Sequence, residues 1–220
     1  MRMQQGARCH ARTDSVKGFY WIGNALLLLR MASTSSPHAP LRSARVGPAR
    51  LDVLVADITT IDVEAIVNAA NRTLLGGGGV DGAIHRAAGP QLLRECEGLG
   101  GCETGSAKVT QGYRLKSSHV IHAVGPVWSG GNKGEHDLLA SCYRTALSLA
   151  AQHRLASIAF PAISTGVYRF PPERAARIAV GTVASELRAA PRGIERVVFC
   201  CFSPDSAEHH IKALDELGLG

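Results

Sequence analysis

The residues best suited to chemistry lie together in one short run, residues 68–89, which reads NAANRTLLGGGGVDGAIHRAAG. It holds two asparagines, Asn68 and Asn71, four consecutive glycines and Asp81. Glycines lack a Cβ, so they adopt positive φ readily and let the backbone approach a bound group closely. Consecutive backbone N–H groups in such a turn, followed by a helix N-terminus, form a concave surface of donors that suits a phosphate. We therefore expect this run to wrap an anionic ligand.

Three other interpretations of the glycines at 76–79 fit the sequence less well. A flexible turn also contains glycines, but these open directly onto an apolar-periodic helix that carries Ile84 and Ala88. A Walker-type P-loop would need Lys-Ser/Thr after the glycines, and GGGGVDG matches the dinucleotide fingerprint poorly. The pattern favours a ligand loop outside those classes.

Strands and helices that could position this run alternate along the chain. Apolar, β-branched runs predict strands at 51–55, 65–68, around Val109, 119–124, 157–160 and 196–202. Apolar periodicity predicts helices at 81–88, 91–97, 135–153, 172–187 and 205–217. The alternation indicates an α/β fold with helices on both faces of a sheet. Ligands of open α/β sheets bind beyond the carboxyl ends of the strands, and the glycine run follows such an end.

The charge of the chain is concentrated in its first part. The chain has 220 residues, 45% of them hydrophobic, which suffices for one globular domain with a real core. The net charge is +6, but residues 1–50 hold eight Lys/Arg and one Asp, so the remainder is near neutral. We therefore do not expect the folded part to bind nucleic acid directly.

Residues 1–47 are expected to lie outside the domain, which we place at residues 48–220. Residues 19–29, FYWIGNALLLL, form an apolar stretch too short to span a bilayer. A secretory signal, an organelle transit peptide or a disordered tail would each fit part of this extension. A start codon assigned too far upstream, with Met31 as the true initiator, is the favoured explanation. We therefore expect a cytoplasmic protein with no membrane association.

The six cysteines show no CxxC and no Cys/His spacing typical of zinc sites. Cys200 and Cys201 lie in an apolar run, where they are expected to be buried strand residues in a reducing compartment. No Ser-His-Asp or Cys-His nucleophile arrangement is evident. We expect neither a metal nor a cofactor.

Five segments of the chain, in one order, resemble the macrodomain family, specifically the MacroD-like branch that includes bacterial O-acetyl-ADP-ribose deacetylases. They are ADIT at 56–59, NAAN at 68–71, GGGGVDGAIHRAAGP at 76–90, HAVGPVW at 122–128 and FPAISTGVY at 160–168. Any one alone would be weak, but several ungapped blocks in one order are specific. The resemblance covers roughly residues 51–217 and implies a three-layer α/β/α macrodomain with a mixed central sheet.

The resemblance implies that ADP-ribose is the ligand. Asp57 corresponds to the aspartate that accepts a hydrogen bond from the adenine amino group, although it could instead cap backbone N–H groups. Phe202 corresponds to the aromatic that stacks on adenine, although a lone aromatic at a strand end is more often core. The loop at 164–168 corresponds to the diphosphate loop, with Tyr168 against the distal ribose, although it could be a simple tight turn.

Two positions depart from the family pattern, because Ala56 and Arg169 stand where glycine is usual. Either the backbone at Arg169 is compatible with a side chain or the loop has shifted. The residues expected to contact the ligand are Asp57, Ile58, Asn68, Asn71, Gly78, Gly79, Val80, Asp81, Ser164, Thr165, Gly166, Val167, Tyr168 and Phe202.

Asn71 and Asp81 are the expected catalytic residues. In the resembling enzymes the asparagine orients the distal ribose, and the aspartate positions or activates a water against the scissile ester carbon. A carboxylate within hydrogen-bond reach of a water can act as its general base. An Asp at a helix start is also favoured by free N–H groups and the helix dipole. Whether Asp81 or the phosphate of the substrate activates the water stays open, and His85 is assigned to packing or ribose support.

Residues and resemblance together predict metal-independent hydrolysis of an ester on the distal ribose of ADP-ribose. The expected substrates are O-acetyl-ADP-ribose and, by the same chemistry, ADP-ribose esters on acidic side chains of ADP-ribosylated proteins. Two alternatives stay open, a non-catalytic ADP-ribose-binding module and a regulator of a ribonuclease. The pairing of Asn71 with Asp81 argues against the first, and the near-neutral domain argues against direct RNA binding in the second.

Overall fold

The computed structural model describes residues 38–190 and 192–219. The expectations for the apolar stretch at 19–29 and for a start at Met31 lie outside the described residues. In the part of the chain that the structure describes, no helix is long and apolar enough to cross a membrane.

Seven strands and five α-helices make up the described chain. In order they are β1 Arg42–Val46, β2 Ala49–Val55, β3 Ala65–Ala69, α1 Gly79–Ala88, α2 Pro90–Leu99, β4 Ala107–Gln111, β5 His119–Ala123, α3 Glu135–Gln152, β6 Ser157–Phe160, α4 Pro172–Ala189, β7 Arg196–Cys201 and α5 Pro204–Glu216. A short 3₁₀ helix, Ile58–Thr60, follows β2. Each strand and helix expected from the sequence is present, with bounds shifted by a few residues.

The strands form one mixed sheet in the order β1-β2-β7-β6-β3-β5-β4. The five inner strands run parallel, and the two edge strands, β1 and β4, run antiparallel to their neighbours. The α/β class with a mixed sheet is therefore confirmed. Because the inner strands are parallel, their carboxyl ends meet along one edge of the sheet.

Helices cover both faces of the sheet. Ile84 of α1 and Leu92 of α2 share one buried cluster with Ile66 of β3. Helices α3, α4 and α5 cover the other face, where Tyr143 of α3 shares a second buried cluster with Val67 of β3. Successive strand residues point to opposite faces, so neighbouring residues of β3 serve different cores. The three-layer architecture is confirmed.

Strand β1 corrects the expected start of the domain at residue 48. It pairs with β2, placing Ala44 opposite Leu51 and Val46 opposite Ala49. Ala44 and Val46 are buried, whereas Arg45 between them is exposed. Only two apolar residues mark this strand, which explains why the sequence did not reveal it. Residues 42–47 belong to the folded part.

Candidate functional site

A cleft of about 660 Å³ lies at the edge where the parallel strands end. Each of these strands contributes the residues that follow it. They are Ala56, Asp57 and Ile58 after β2, Ala70 and Asn71 after β3, Gly125 after β5, residues 161–168 after β6, and Phe202 and Ser203 after β7. Segments far apart in the sequence therefore converge on one cleft.

The residues expected to contact a ligand line this cleft, with the exception of Asn68. Asn68 is fully buried, and its side-chain amide lies behind Asp81, with Nδ2 at 2.7 Å from Asp81 Oδ1. We therefore correct its expected role from ligand contact to support of Asp81. For the lining residues, contact with a ligand stays a prediction.

Two segments that line the cleft present backbone N–H groups. Helix α1 begins after Gly78, which has no side chain to cap the first N–H groups of the helix. In the loop after β6, the N–H groups of Gly166, Val167 and Tyr168 find no acceptor within the described residues. Unpaired donors at a helix start and in a turn are suited to an anion. The geometry is consistent with the expected diphosphate.

The loop after β6 adopts backbone angles that glycine usually supplies. Ser164 and Arg169 have φ of 67° and 56°, in the left-handed region. The turn is held by hydrogen bonds from Arg169 N to Gly166 O, at 2.9 Å, and from Phe170 N to Ser164 O, at 3.0 Å. Of the two alternatives for Arg169, the structure therefore has the first, a left-handed backbone that carries an exposed side chain.

Gly125 lets the loop after β6 approach the end of β5. A Cβ at this position would lie 2.1 Å from Ser164 Oγ and 2.7 Å from Ile163 Cγ2, so only glycine fits without movement. Ser164 Oγ is buried and has no hydrogen-bond partner within the described part of the chain. Gly125 lies in one of the segments that resemble the family, but the sequence predicted no role for it.

At the β2 and β7 end of the cleft, Asp57 and Phe202 lie on neighbouring strand ends. Asp57 Oδ1 accepts hydrogen bonds from Thr59 N at 2.9 Å and Thr59 Oγ1 at 2.8 Å. The capping role considered for Asp57 is therefore present, and it uses one carboxylate oxygen. Phe202 is 94% exposed, so it is not a core residue. Its aromatic ring is free to stack on a flat ligand.

At the β3 end, Asn71 shapes the start of the glycine run. Its Nδ2 donates to Gly76 O at 2.8 Å, and its Oδ1 accepts from Thr73 N at 3.0 Å and Leu74 N at 3.2 Å. A Cβ at Gly77 would lie 3.0 Å from Asp81 Oδ2 and 3.3 Å from Asn71 Nδ2. Asp81 Oδ2 and Asn71 Nδ2 therefore border the same space, which is left open because Gly77 has no side chain.

The two oxygens of Asp81 have different surroundings. Oδ2 is the oxygen that faces Gly77, whereas Oδ1 accepts from Asn68 Nδ2 and lies 3.5 Å from His85 Nε2. The residue is only 4% exposed. A carboxylate held at one oxygen keeps the other in a defined position. Asp81 therefore presents Oδ2 to the cleft from a fixed rotamer.

Gly82 allows the glycine run to pack against α1. A Cβ there would lie 2.4 Å from the carbonyl oxygen of Gly77. The contact is with backbone, which cannot swing aside, so a side chain at this position would displace Gly77. The close backbone approach predicted for the glycines at 76–79 did not extend to Gly82, although its position directly after Asp81 was the available signal.

Behind Asp81, the polar contacts continue into the sheet. Asn68 Nδ2 also lies 3.1 Å from His122 Nδ1, and His122 Nε2 lies 2.9 Å from Thr110 Oγ1. Burial, with a smaller contribution from the nearby His85, lowers the pKa of His122 to about 3. The imidazole is therefore neutral near neutral pH. Sequence analysis did not predict this arrangement, because no local pattern connects strands β3, β5 and β4.

Two groups near the cleft could suggest other chemistry. Cys200 lines the cleft, but burial raises the pKa of its thiol to about 12, which disfavours the nucleophilic thiolate. The possible ligand atoms of His85, Cys96 and His122 lie within 4.8 Å of one another. Both ring nitrogens of His122 already have polar partners, Asn68 and Thr110, so we assign no metal to this cluster.

The sequence is similar to those of known proteins. The family model described as Macro domain matches residues 67–179. A macro domain-containing protein of Chlorobaculum tepidum is 62% identical over 164 residues, which is 74% of this chain and 95% of the relative. The ADP-ribose glycohydrolase MACROD2 of Mus musculus is 52% identical over 161 residues, which is 73% of this chain but only 34% of that longer protein.

Solved structures agree with the sequence matches. The Oceanobacillus iheyensis macrodomain with ADP superposes with a TM-score of 0.78 at 40% identity, covering 83% of this chain and 98% of that one. The Trypanosoma brucei macrodomain in complex with ADP-ribose gives a TM-score of 0.70 at 44% identity, covering 74% of this chain and 68% of that one.

Proposed function

Because the chain belongs to the macro domain family, we propose that it binds ADP-ribose and hydrolyses an ester on the distal ribose. The proposal of hydrolysis rests on the positions of Asp81 Oδ2 and Asn71 Nδ2, which border one space beside Gly77. The substrates are O-acetyl-ADP-ribose and ADP-ribose esters on acidic protein side chains. The relative named ADP-ribose glycohydrolase supports hydrolysis as the class of reaction.

The order of the strands supports one orientation of the ligand. Along the sheet edge, β2 and β7 lie at one end, β6 follows, and β3 lies beyond it. We propose that adenine lies against Phe202 and Asp57, the diphosphate at the start of α1 and the loop after β6, and the distal ribose beside Asn71, all of which line the cleft. The stacking surface, the backbone donors and the catalytic carboxylate thus follow one another in the order of the chemical groups of ADP-ribose.

In the proposed reaction a water lies at Asp81 Oδ2 and attacks the carbonyl carbon of the ester. Asp81 accepts a proton from the water as the new C–O bond forms. The bond between this carbon and the ribose oxygen then breaks, and the proton passes to that oxygen. The products are the free carboxylic acid and ADP-ribose. Asn71 orients the ribose, and the reaction uses neither a metal nor a covalent intermediate.

A cytoplasmic location is part of the same proposal. The cysteines within the described residues, Cys96, Cys102, Cys142, Cys200 and Cys201, are free thiols and buried. Cys200 and Cys201 are adjacent in the sequence, and two neighbouring free thiols fit a reducing compartment.

The test is turnover by the full chain of O-acetyl-ADP-ribose, measured as release of acetate, and of a protein ADP-ribosylated on acidic side chains, measured as release of ADP-ribose. The affinity for ADP-ribose is measured by calorimetry. We expect Asp81→Ala to lose at least a hundredfold in kcat, as for removal of a general base, while its affinity stays within a few-fold. Asp137→Ala, at an exposed position of α3, is the matched control and should behave as wild type. A wild-type chain that binds ADP-ribose but shows no turnover on either ester would be a binding module.

A further inference from the structure

Four buried polar residues form a continuous chain that ends at Asp81. Asp81 Oδ1 and Asn68 Nδ2 are 2.7 Å apart, Asn68 Nδ2 and His122 Nδ1 are 3.1 Å apart, and His122 Nε2 and Thr110 Oγ1 are 2.9 Å apart. Asn68 and His122 are fully buried, Thr110 is 2% exposed and Asp81 is 4% exposed. We call these four residues the buried polar chain.

The buried polar chain crosses the sheet from strand to strand. Asn68 of β3 and His122 of β5 are register partners, and Thr110 lies on β4, the next strand. Neither His122 nor Thr110 lines the cleft. Buried positions on a sheet are ordinarily filled by apolar side chains, because a buried polar group is costly unless it is hydrogen-bonded. Packing alone therefore does not explain why these buried residues are polar.

Only one arrangement of protons satisfies every contact of the buried polar chain. An ionised carboxylate only accepts, so the amide group facing Asp81 must be the NH₂ of Asn68. The same NH₂ group faces His122 Nδ1, which must therefore accept as well. The proton of the neutral imidazole is then on Nε2, where it is donated to Thr110 Oγ1. Thr110 Oγ1 thus supplies the acceptor for the Nε2 proton and stabilises the tautomer whose Nδ1 accepts from the Asn68 amide.

We propose that His122 and Thr110 are positioning residues for the hydrolysis, acting through Asn68 on the carboxylate of Asp81. This inference rests on the proposed function of Asp81. With the opposite tautomer, His122 Nδ1–H would face the NH₂ of Asn68, and the amide would have to turn. Its carbonyl oxygen would then face Asp81 Oδ1, and repulsion would move the carboxylate. The buried polar chain keeps Oδ2 at the cleft.

The first test compares Thr110→Val with Thr110→Ser. Valine has nearly the shape of threonine but cannot accept the Nε2 proton, whereas serine can. We expect Thr110→Val to lower kcat about tenfold, in the range seen when supporting hydrogen bonds of a site are removed, with KM and the affinity for ADP-ribose unchanged. Thr110→Ser should retain wild-type kcat. Cys96 Sγ, at 3.7 Å from His122 Nε2, is a weaker substitute acceptor, so a partial loss is expected.

A second pair removes the imidazole itself, in case Thr110→Val does not fold. His122→Asn retains an acceptor near the position of Nδ1, whereas His122→Leu does not. We expect His122→Asn to retain more of the wild-type kcat than His122→Leu, with thermal unfolding and ADP-ribose binding confirming that both are folded. Equal kcat in folded Thr110→Val, Thr110→Ser and wild type, or equal losses in both His122 variants, would overturn the proposal.

A spectroscopic measurement separates this proposal from the proposed function. The ¹⁵N chemical shifts of His122 report which ring nitrogen carries the proton, with no need for turnover. We expect the proton on Nε2 in wild type and Thr110→Ser, and its redistribution in Thr110→Val. If the wild type shows this tautomer but hydrolyses neither ester, the proposed function fails while the proton arrangement stands. A proton on Nδ1 in the wild type would overturn the positioning role.

Discussion

The two ends of the cleft hold their functional groups in different ways. At the β2 and β7 end, Phe202 is 94% exposed and belongs to neither buried cluster. At the β3 end, Asp81 is 4% exposed and is joined through Asn68 to His122. The stacking proposed for Phe202 works over a range of positions, but the general base proposed at Asp81 needs a fixed one. The difference indicates that buried polar contacts lie at the end of the cleft where the position of individual atoms matters.

The largest effect should come from a methyl group introduced at the buried end. In Gly77→Ala the new Cβ would lie 3.0 Å from Asp81 Oδ2 and 3.3 Å from Asn71 Nδ2, so both must move. We expect kcat to fall about a hundredfold, as for displaced catalytic groups elsewhere. Steady-state kinetics beside Gly98→Ala, whose Cβ meets nothing within 4 Å, measures the difference. A normal kcat in Gly77→Ala would show that the position of Asp81 is not critical.

The buried end should also make stability sensitive to acid. Burial, aided by His85, lowers the pKa of His122 to about 3, below the usual value of 6.5. Between these values the unfolded chain binds a proton that the folded chain excludes. The contribution of the neutral His122 to the free energy of unfolding is therefore fully present above about pH 6.5 and is lost as the pH falls towards 3. Over this range the free energy of unfolding should change by up to about 1.4 kcal/mol per pH unit. Urea unfolding at several pH values should give a shallower slope for His122→Asn than for wild type.

At the exposed end, truncation should change affinity without changing stability. Phe202→Ala is expected to weaken ADP-ribose binding by about 1–3 kcal/mol, the usual range for aromatic stacking on a base. The melting temperature should not move, because the ring is almost fully exposed. Leu41→Ala, at an exposed apolar position that does not line the cleft, is the control for calorimetry. A large loss of melting temperature in Phe202→Ala would remove the contrast between the two ends.

The smallest effect is expected at Arg169, which directly follows the cleft-lining residues of the loop after β6. Its left-handed backbone, with φ of 56°, is costly for a residue with a Cβ. Arg169→Gly should gain about 0.5 kcal/mol of unfolding free energy, after the greater entropy of glycine in the unfolded chain is subtracted. Arg154→Gly, with φ of 57° outside the cleft, should gain a similar amount. A loss of ADP-ribose affinity in Arg169→Gly alone would assign the guanidinium to the ligand.

Local sequence patterns were sufficient for most of the fold. Apolar runs such as residues 196–202 and periodic stretches such as 172–187 carry their own signal, because one face of each element must be buried. Strand β1 has only two buried apolar positions, Ala44 and Val46, and was therefore missed. The glycines and polar residues after the strand ends also indicated the cleft, since parallel strands end together.

The support behind the site could not be predicted in the same way. Asn68 and His122 become neighbours only through the pairing of β3 with β5, and Thr110 only through the pairing of β5 with β4. The choice between ligand contact and support for Asn68 depends on burial, which the sequence does not contain. The need for glycine at 82 and 125 depends on how closely two loops approach, and this also is a tertiary property.

Strand β1 has a practical consequence for producing the protein. It covers the outer side of β2, whose Leu51 and Val53 are buried. A fragment that began at residue 48 would leave unpaired those backbone N–H and C=O groups of β2 that face β1, and such an edge recruits strands from other molecules. Expression of that fragment should therefore yield aggregates, whereas a fragment that retains residues 38–47 should stay monodisperse by light scattering.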